Sequence, residues 1–494
     1  MGMDKLDSLS PLLAEARALR AEIAARGRVL YRIWRGRIER RGFAAGALNL
    51  AHYLALRRVD LRALQRRLMV RGLSSLGRCE GHVLATLDTI DWALGRMAGA
   101  PAGRPPSERQ FFRGERRLHE AAAEALGPPR PGRLVRIMVT LGSEAADDPR
   151  YVADLVARGA DIVRINCAHD DAEVWQRMID NTRAAGKHVR VLMDIAGPKV
   201  RMGRVVAPIE RKHLQVGDTL LLCAKVDAGR RDYPFQAICA PLAVLGRLKV
   251  GDAVSVDDGK LRGEIAVAVE GGFAVKITQG RIKGVKMKGG RGLNFPAVDL
   301  NLDPLTDKDR RDLDFVAQNA DLVGHSFVQN AAQVAALQAE LAARRPDWRK
   351  LGLVAKIETP AAVRNLPEII VQAAGRQPLA VMIARGDLAV EIGFERVAEM
   401  QEEILWLCEA AQVPAIWATQ VLEGLIQEGL PSRGEMTDAA MSVQAECVML
   451  NKGPNLATGV DALDRLLRRM GENQVKKTPT LRALHSWPEH ADGG

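Results

Sequence analysis

Gly352-Leu-Val-Ala-Lys-Ile-Glu358 and Leu379-Ala-Val-Met-Ile-Ala-Arg-Gly-Asp387 are two short apolar runs that each end in charge. Each reads as a buried parallel strand, and each places a carboxylate at or just past its C-terminal end. In an α/β barrel that end opens into the active site. Glu358 and Asp387 are therefore expected to meet over one divalent cation, with Lys356 pointing into the same space. A hard cation held by two carboxylates beside a lysine suits phosphoryl transfer, in which developing negative charge must be neutralised.

Working outward, the chain from residue 134 alternates strand-like and helix-like segments. Candidate strands are 134–141, 160–166, 189–195, 320–327, 352–358, 379–385, 414–420 and 447–451, with amphipathic stretches such as 151–157, 171–183, 332–343 and 397–411 between them. Eight strands separated by helices predict a (β/α)₈ TIM barrel. The count closes only if 205–290 is set aside. There the rhythm changes to short strands punctuated by Gly217-Asp218, Gly251-Asp252 and Asp258-Gly259, the pattern of a small β-barrel. Inserted after the third barrel strand, it is expected to act as a lid that excludes water. The expected organisation is an N-terminal helical domain over 1–130, the first part of the barrel over 133–204, the lid over 205–290, the second part of the barrel over 291–473 and a tail over 474–494.

Composition narrows the function classes. Hydrophobic residues make up 47% of the 494, enough to bury a sizeable core. Residues 1–130 hold 24 Lys+Arg against 13 Asp+Glu, whereas the remainder carries 47 of each sign, so the net +11 belongs to the N-terminal helices. No zinc spacing or aromatic-interleaved basic stretch accompanies it, and no nucleic-acid partner is expected. The six cysteines are scattered without a C-x-x-C pair, which suits a reducing compartment. With no signal peptide and no apolar run long enough to span a bilayer, a cytoplasmic protein without membrane attachment is expected.

The strand ends carry a convergent polar set: Arg164 and Asn166, Asp194, Ser326, Lys356 and Glu358, Arg385 and Asp387, Thr419 and Gln420. The surrounding motifs are Arg164-Ile-Asn-Cys-Ala-His169, Asp194-Ile-Ala-Gly-Pro-Lys-Val-Arg201, Asp257-Asp258-Gly259, Ala297-Val-Asp-Leu300, Leu305-Thr-Asp-Lys308, Lys356-Ile-Glu358, Ala384-Arg-Gly-Asp-Leu388 and Trp417-Ala-Thr-Gln420. In order and context they resemble the pyruvate kinase family over residues 134 to 472. The resemblance implies the glycolytic transfer of phosphate from phosphoenolpyruvate to ADP, giving pyruvate and ATP. It implies Lys356, Thr419 and Arg164 as catalytic residues. Arg164, Lys356, Gly386, Asp387 and Thr419 would bind substrate, and Asn166, His169 and Arg201 would face the nucleotide. Glu358 and Asp387 would hold Mg²⁺, with a second Mg²⁺ arriving on the nucleotide.

The chain departs from that family at three places. Ala168 stands where a potassium-binding serine is common, and Lys199 where potassium-dependent members have Glu. Asn166, Asp194 and Lys199 are thus the monovalent-cation site or its substitute, and activity without K⁺ is expected. The eighth strand ends Met449-Leu-Asn-Lys-Gly-Pro-Asn455 in place of a Ser-Gly-Glu-Thr run, which opens a second reading as a weakly active or inactive binding or regulatory relative. The family's C-terminal regulatory domain is expected to be absent. The N-terminal helices are then expected to serve self-association, as a homo-oligomer, or docking onto the barrel.

Overall fold

The computed structural model describes residues 9–296 and 298–479. Ala297 of the Ala297–Leu300 motif and the tail beyond residue 479 lie outside the described residues. Eight parallel strands, Arg136–Thr140, Ile162–Asn166, Arg190–Asp194, Leu322–His325, Gly352–Ile357, Leu379–Ala384, Ala415–Ala418 and Cys447–Leu450, close into a barrel in chain order. The first pairs with the last through Arg136↔Cys447 to Val139↔Leu450, which completes the closure. Each strand falls within an expected segment.

Alternation along the strands decides what faces the active site. Ile162, Leu192, Val354, Ala380, Met382, Ile416 and Met449 form one cluster inside the barrel, while Val163, Val191, Leu353, Ala355 and Trp417 pack outward against the helices. Continuing that period by two places Arg164 and Asn166, Asp194, Lys356 and Glu358 on the inner side at the C-terminal rim.

The other end of the barrel is closed by the N-terminal region. Helix Arg113–Leu126 inserts Ala125 and Leu126 into the inner cluster as a floor. Ahead of it, helix Leu9–Trp34 buries Leu12, Leu13, Ala16, Leu19 and Ile23 at helical spacing against helices Ala44–Leu56 and Val83–Met97. This helical region docks on the outside of the barrel. Trp34 Nε1 donates to Glu368 at 2.7 Å, Asn49 Nδ2 to the Ala410 carbonyl at 2.8 Å, and the Glu39 and Arg40 amides both donate to the Gly375 carbonyl at 2.8 Å.

Helices Leu9–Trp34 and Ala44–Leu56 approach closely at Gly27, where an added Cβ would lie 2.2 Å from His52 Cδ2 and 3.1 Å from its Cα. Alanine has the better helix propensity by about 1 kcal/mol, but overpacking at fixed backbone costs about 1–3 kcal/mol. Gly27→Ala is therefore expected to lower Tm in a thermal melt. A raised Tm would mean that the two helices do not approach this closely.

The lid interrupts the barrel between its third and fourth strands. Its seven-stranded sheet runs from Arg201–Val206 to Leu293–Asn294 and has its own core, including Leu220, Leu222, Phe235, Ile265 and Val275. The two edge strands touch through a bridge between Arg201 and Gly292, so the sheet is partly closed on itself. Gly217, Gly251 and Gly259 take φ of 94°, 94° and 85° at the turns that the Gly and Asp pairs announced. All six cysteines are buried and unpaired. No helix among the described residues is long and apolar enough to cross a membrane.

Candidate active site

The inner rim is a continuous network of opposite charges. Lys356 Nζ lies 2.8 Å from Ser326 Oγ, 3.1 Å from Asp194 Oδ2 and 3.2 Å from Glu358 Oε1. Asp194 also takes Nε of Arg164 at 2.9 Å, with Nη2 of the same guanidinium on the same oxygen, and Arg164 Nη1 reaches Thr140 Oγ1 at 3.2 Å. Ser326 Oγ in turn donates to the Ile195 carbonyl at 2.7 Å. Charges this deep persist only when paired and hydrogen-bonded, and here each has at least one opposite partner.

The protonation preferences follow from these contacts. Burial works against the Lys356 ammonium, but Asp194 and then Glu358 outweigh it and raise its pKa. Burial likewise opposes the Asp194 carboxylate, and Lys356 and Arg164 overcome it to hold that group below the usual carboxylate value. Glu358 goes the other way. Burial pushes its carboxyl up, Lys356 opposes the rise, and the nearby negative charge of Asp387 adds to it. The Phe327 amide donates to Glu358, from a backbone with φ 55°.

Asp387 sits on helix Arg385–Ile392, directly after the sixth strand. Its Oδ1 receives Lys199 Nζ at 2.7 Å, and the same ammonium reaches Asp258 of the lid at 3.1 Å. The Gly386 amide donates to Thr419 Oγ1 at 2.7 Å. Thr419 and Gln420 both have positive φ, 64° and 56°. For a β-branched threonine that conformation is strained by about 1–3 kcal/mol and needs support from its surroundings. Arg385 supplies it. It donates to the Ala418 carbonyl at 3.1 Å and the Thr419 carbonyl at 2.8 Å, while Asp438 grips the guanidinium from helix Arg433–Met441. A cleft of about 710 Å³ opens here between lid and barrel, lined by Lys199, Asp258, Lys260, Asp387, Thr419 and Asn451.

The structure thus gathers Arg164, Asp194, Lys356 and Glu358 in direct contact, with Asp387, Gly386 and Thr419 beside them. The nucleotide trio is less tightly joined. Asn166 Oδ1 accepts the Ala168 amide at 3.1 Å, the His169 carbonyl accepts Trp175 Nε1 at 3.0 Å, and Arg201 donates to the Gly290 carbonyl at 3.1 Å. Burial lowers the His169 pKa, with Lys452 of the eighth-strand loop and Arg201 adding to the effect, so those cations share its space. Lys199 bonds to Asp387 and Asp258, not to Asn166 or Asp194. Reading the sequence missed Asp438 as the anchor of Arg385, and Thr140 as a neighbour of the site. Neither lies in a motif.

The residues present fit a magnesium ion. Two carboxylates supply hard oxygen donors, and Mg²⁺ keeps the rest of its shell for water and substrate. Among the described residues no group of three or more His, Cys, Asp or Glu forms a metal cage.

Comparison with known proteins gives the family. The family model described as pyruvate kinase, barrel domain, matches residues 132–459. The chain belongs to the pyruvate kinase family. A pyruvate kinase of Agrobacterium vitis is 32% identical over 370 residues, covering 72% of this chain and 71% of that one. One of Methylorubrum extorquens is 33% identical over 326 residues, covering 65% and 64%, and one of Mycobacterium tuberculosis H37Rv is 30% identical over 358, covering 70% and 71%. The chain therefore spans about two thirds to seven tenths of these pyruvate kinases.

Proposed function

We propose that this protein transfers the phosphoryl group of phosphoenolpyruvate to ADP, forming pyruvate and ATP with Mg²⁺. The observation that carries the reading is Lys356 and Glu358 at the end of the fifth barrel strand with Asp387 on the helix that follows the sixth, backed by the Arg164–Asp194 pair.

Lys356 stabilises negative charge on the transferring phosphoryl group, and Arg164, held by Asp194, grips its oxygens. The Gly386 and Asp387 amides, at the start of a helix, receive the substrate carboxylate together with Thr419. Glu358 and Asp387 would hold the metal, which would supply neutralisation of charge on substrate oxygens. Asn166, His169 and Arg201 face the nucleotide phosphates, whose own Mg²⁺ arrives with them. Chemistry of this kind needs positioning and electrostatic neutralisation more than covalent work by the protein. Thr419 marks the face from which the enolate left behind is protonated. The lid excludes water while that enolate persists.

The measurement that tests this is pyruvate formation from phosphoenolpyruvate, ADP and Mg²⁺ in a coupled assay. A second reading, a family member that binds phosphoenolpyruvate without turnover, rests on the eighth-strand loop Asn451-Lys452-Gly453-Pro454, which offers neither hydroxyl nor carboxylate. Binding of labelled phosphoenolpyruvate with no pyruvate produced would establish that reading instead.

Potassium independence is proposed on Lys199. Burial opposes its ammonium, but Asp387 and Asp258 outweigh the cost and raise its pKa, so the cleft beside Asp387 carries an internal cation, away from Asn166 and Asp194. Equal turnover in potassium and tetramethylammonium salts is expected. A several-fold rise in potassium would refute it.

A further inference from the structure

Several arginines of the N-terminal region hold acids: Arg17 pairs with Asp91, Arg20 with Asp88, Arg37 with Glu368 and Arg40 with Glu124. Arg109, Arg113, Arg116 and Arg117 do not. Among the described residues none of these four has an acid within ion-pair distance. They line a hollow of about 540 Å³ together with Gln110 and Glu120. Glu108 and Glu115 line a neighbouring hollow that shares Arg109 and Arg116. Arg113 and Arg117 stand one turn apart on helix Arg113–Leu126, and like charges at that spacing destabilise a helix. The repulsion registers on Arg117, whose pKa is lowered by burial and then by Arg113 and Arg116, against the pull of Glu120.

The backbone under this cluster is fixed. The Ser107 amide donates to Gln110 Oε1 at 2.9 Å to close a capping box, and Arg116 donates to the Arg109 carbonyl across the bend between helix Glu108–Phe111 and helix Arg113–Leu126. A Cβ at Gly114 would lie 1.9 Å from the Gly81 carbonyl oxygen, so the second helix is wedged against the turn beneath it. Phe112 gives that helix no side-chain cap, and its positive end adds to the four guanidinium groups. The far end of the same helix is the barrel floor.

We propose that this cluster is a binding site for an anion bearing two or more linked phosphates, at the closed end of the barrel and separate from the rim. Guanidinium groups held on a fixed backbone match phosphate oxygens two at a time. Arg109 to Arg117 covers about 12 Å at the helical rise, farther than one phosphate reaches, and a chain of phosphates spans it. The bound anion relieves the repulsion between Arg113 and Arg117, and so firms the helix that plugs the barrel.

Isothermal titration of the metal-free full chain with tripolyphosphate and with orthophosphate tests this, with Arg201→Gln as the control for binding in the rim cleft. Tripolyphosphate is expected to bind about tenfold or more tighter than orthophosphate. It should keep that affinity in Arg201→Gln and lose about tenfold or more when Arg113→Gln and Arg117→Gln are combined. Without the anion the double variant melts no lower than wild type, because a like-charge pair is gone, and the rise in Tm that tripolyphosphate gives wild type disappears. Tighter binding of ATP than of tripolyphosphate by Arg201→Gln assigns a nucleotide as the ligand, and equal or weaker binding assigns free polyphosphate. Affinity lost in Arg201→Gln but kept in the double variant places the anion in the cleft and overturns the proposal. Equal affinities for the two phosphates, or a double variant that melts well below wild type, overturn it too. So does a wild type that takes up RNA or acidic vesicles but not tripolyphosphate.

Discussion

Lys356→Met lowers the rate of pyruvate formation by about 10²–10³, the usual cost of deleting one preorganised donor to a developing negative charge. Methionine keeps most of the side chain's length and apolar bulk, so the loss isolates the ammonium. The electrostatic consequences extend beyond the substrate. Asp194 and Glu358 lie 3.1 Å and 3.2 Å from that nitrogen, and breaking a buried pair costs about 3–5 kcal/mol when the orphaned charge stays ionised. Asp194 keeps Arg164, so Glu358 loses more and is expected to take up a proton. The variant should melt at lower temperature than wild type and still bind phosphoenolpyruvate through Arg164 and Thr419. A rate equal to wild type would remove the Lys356 ammonium from the chemistry.

Glu358→Gln removes a metal ligand while keeping the shape of the side chain. Loss of an outer partner alone typically costs metal sites 10- to 100-fold in affinity, so losing a direct ligand is expected to weaken Mn²⁺ binding by more than about 100-fold. The stability signature has the opposite sign. Burial and the charge of Asp387 both work against the Glu358 carboxylate, so the neutral amide relieves repulsion in the metal-free protein. Its Tm without metal should match or exceed wild type, whereas the rise in Tm that Mg²⁺ gives wild type, set by ligand concentration over Kd, should disappear. A full Mg²⁺-dependent rise in the variant would remove Glu358 from the metal site.

The charged rim was legible because it obeys a short-range rule. Val354, Lys356 and Glu358 alternate at period two, so one apolar residue facing inward carries the two charged ones with it. The lid was legible for a similar reason: its Gly and Asp turns need backbone that other residues avoid. What could not be read is where a long side chain finds its partner. Lys199 was placed with Asn166 and Asp194 by its position in a motif, yet the turn at Asp257 and Asp258 folds a second carboxylate toward it, and Asp387 supplies the first. Asp438 is the same case. Its grip on Arg385 spans 53 residues between two helices, and neither helix carries a local signature of the contact. The N-terminal helices showed their apolar faces by spacing, but that Leu126 plugs the barrel floor follows only from the closed fold.

The most direct test is a crystal structure of the protein soaked with Mn²⁺ and phosphoenolpyruvate, read from the anomalous scattering of the metal. The account predicts one strong peak bonded to carboxylate oxygens of both Glu358 and Asp387, with Lys356 Nζ beside the phosphoryl group. A peak elsewhere, or Glu358 and Asp387 too far apart to share one ion, would contradict it.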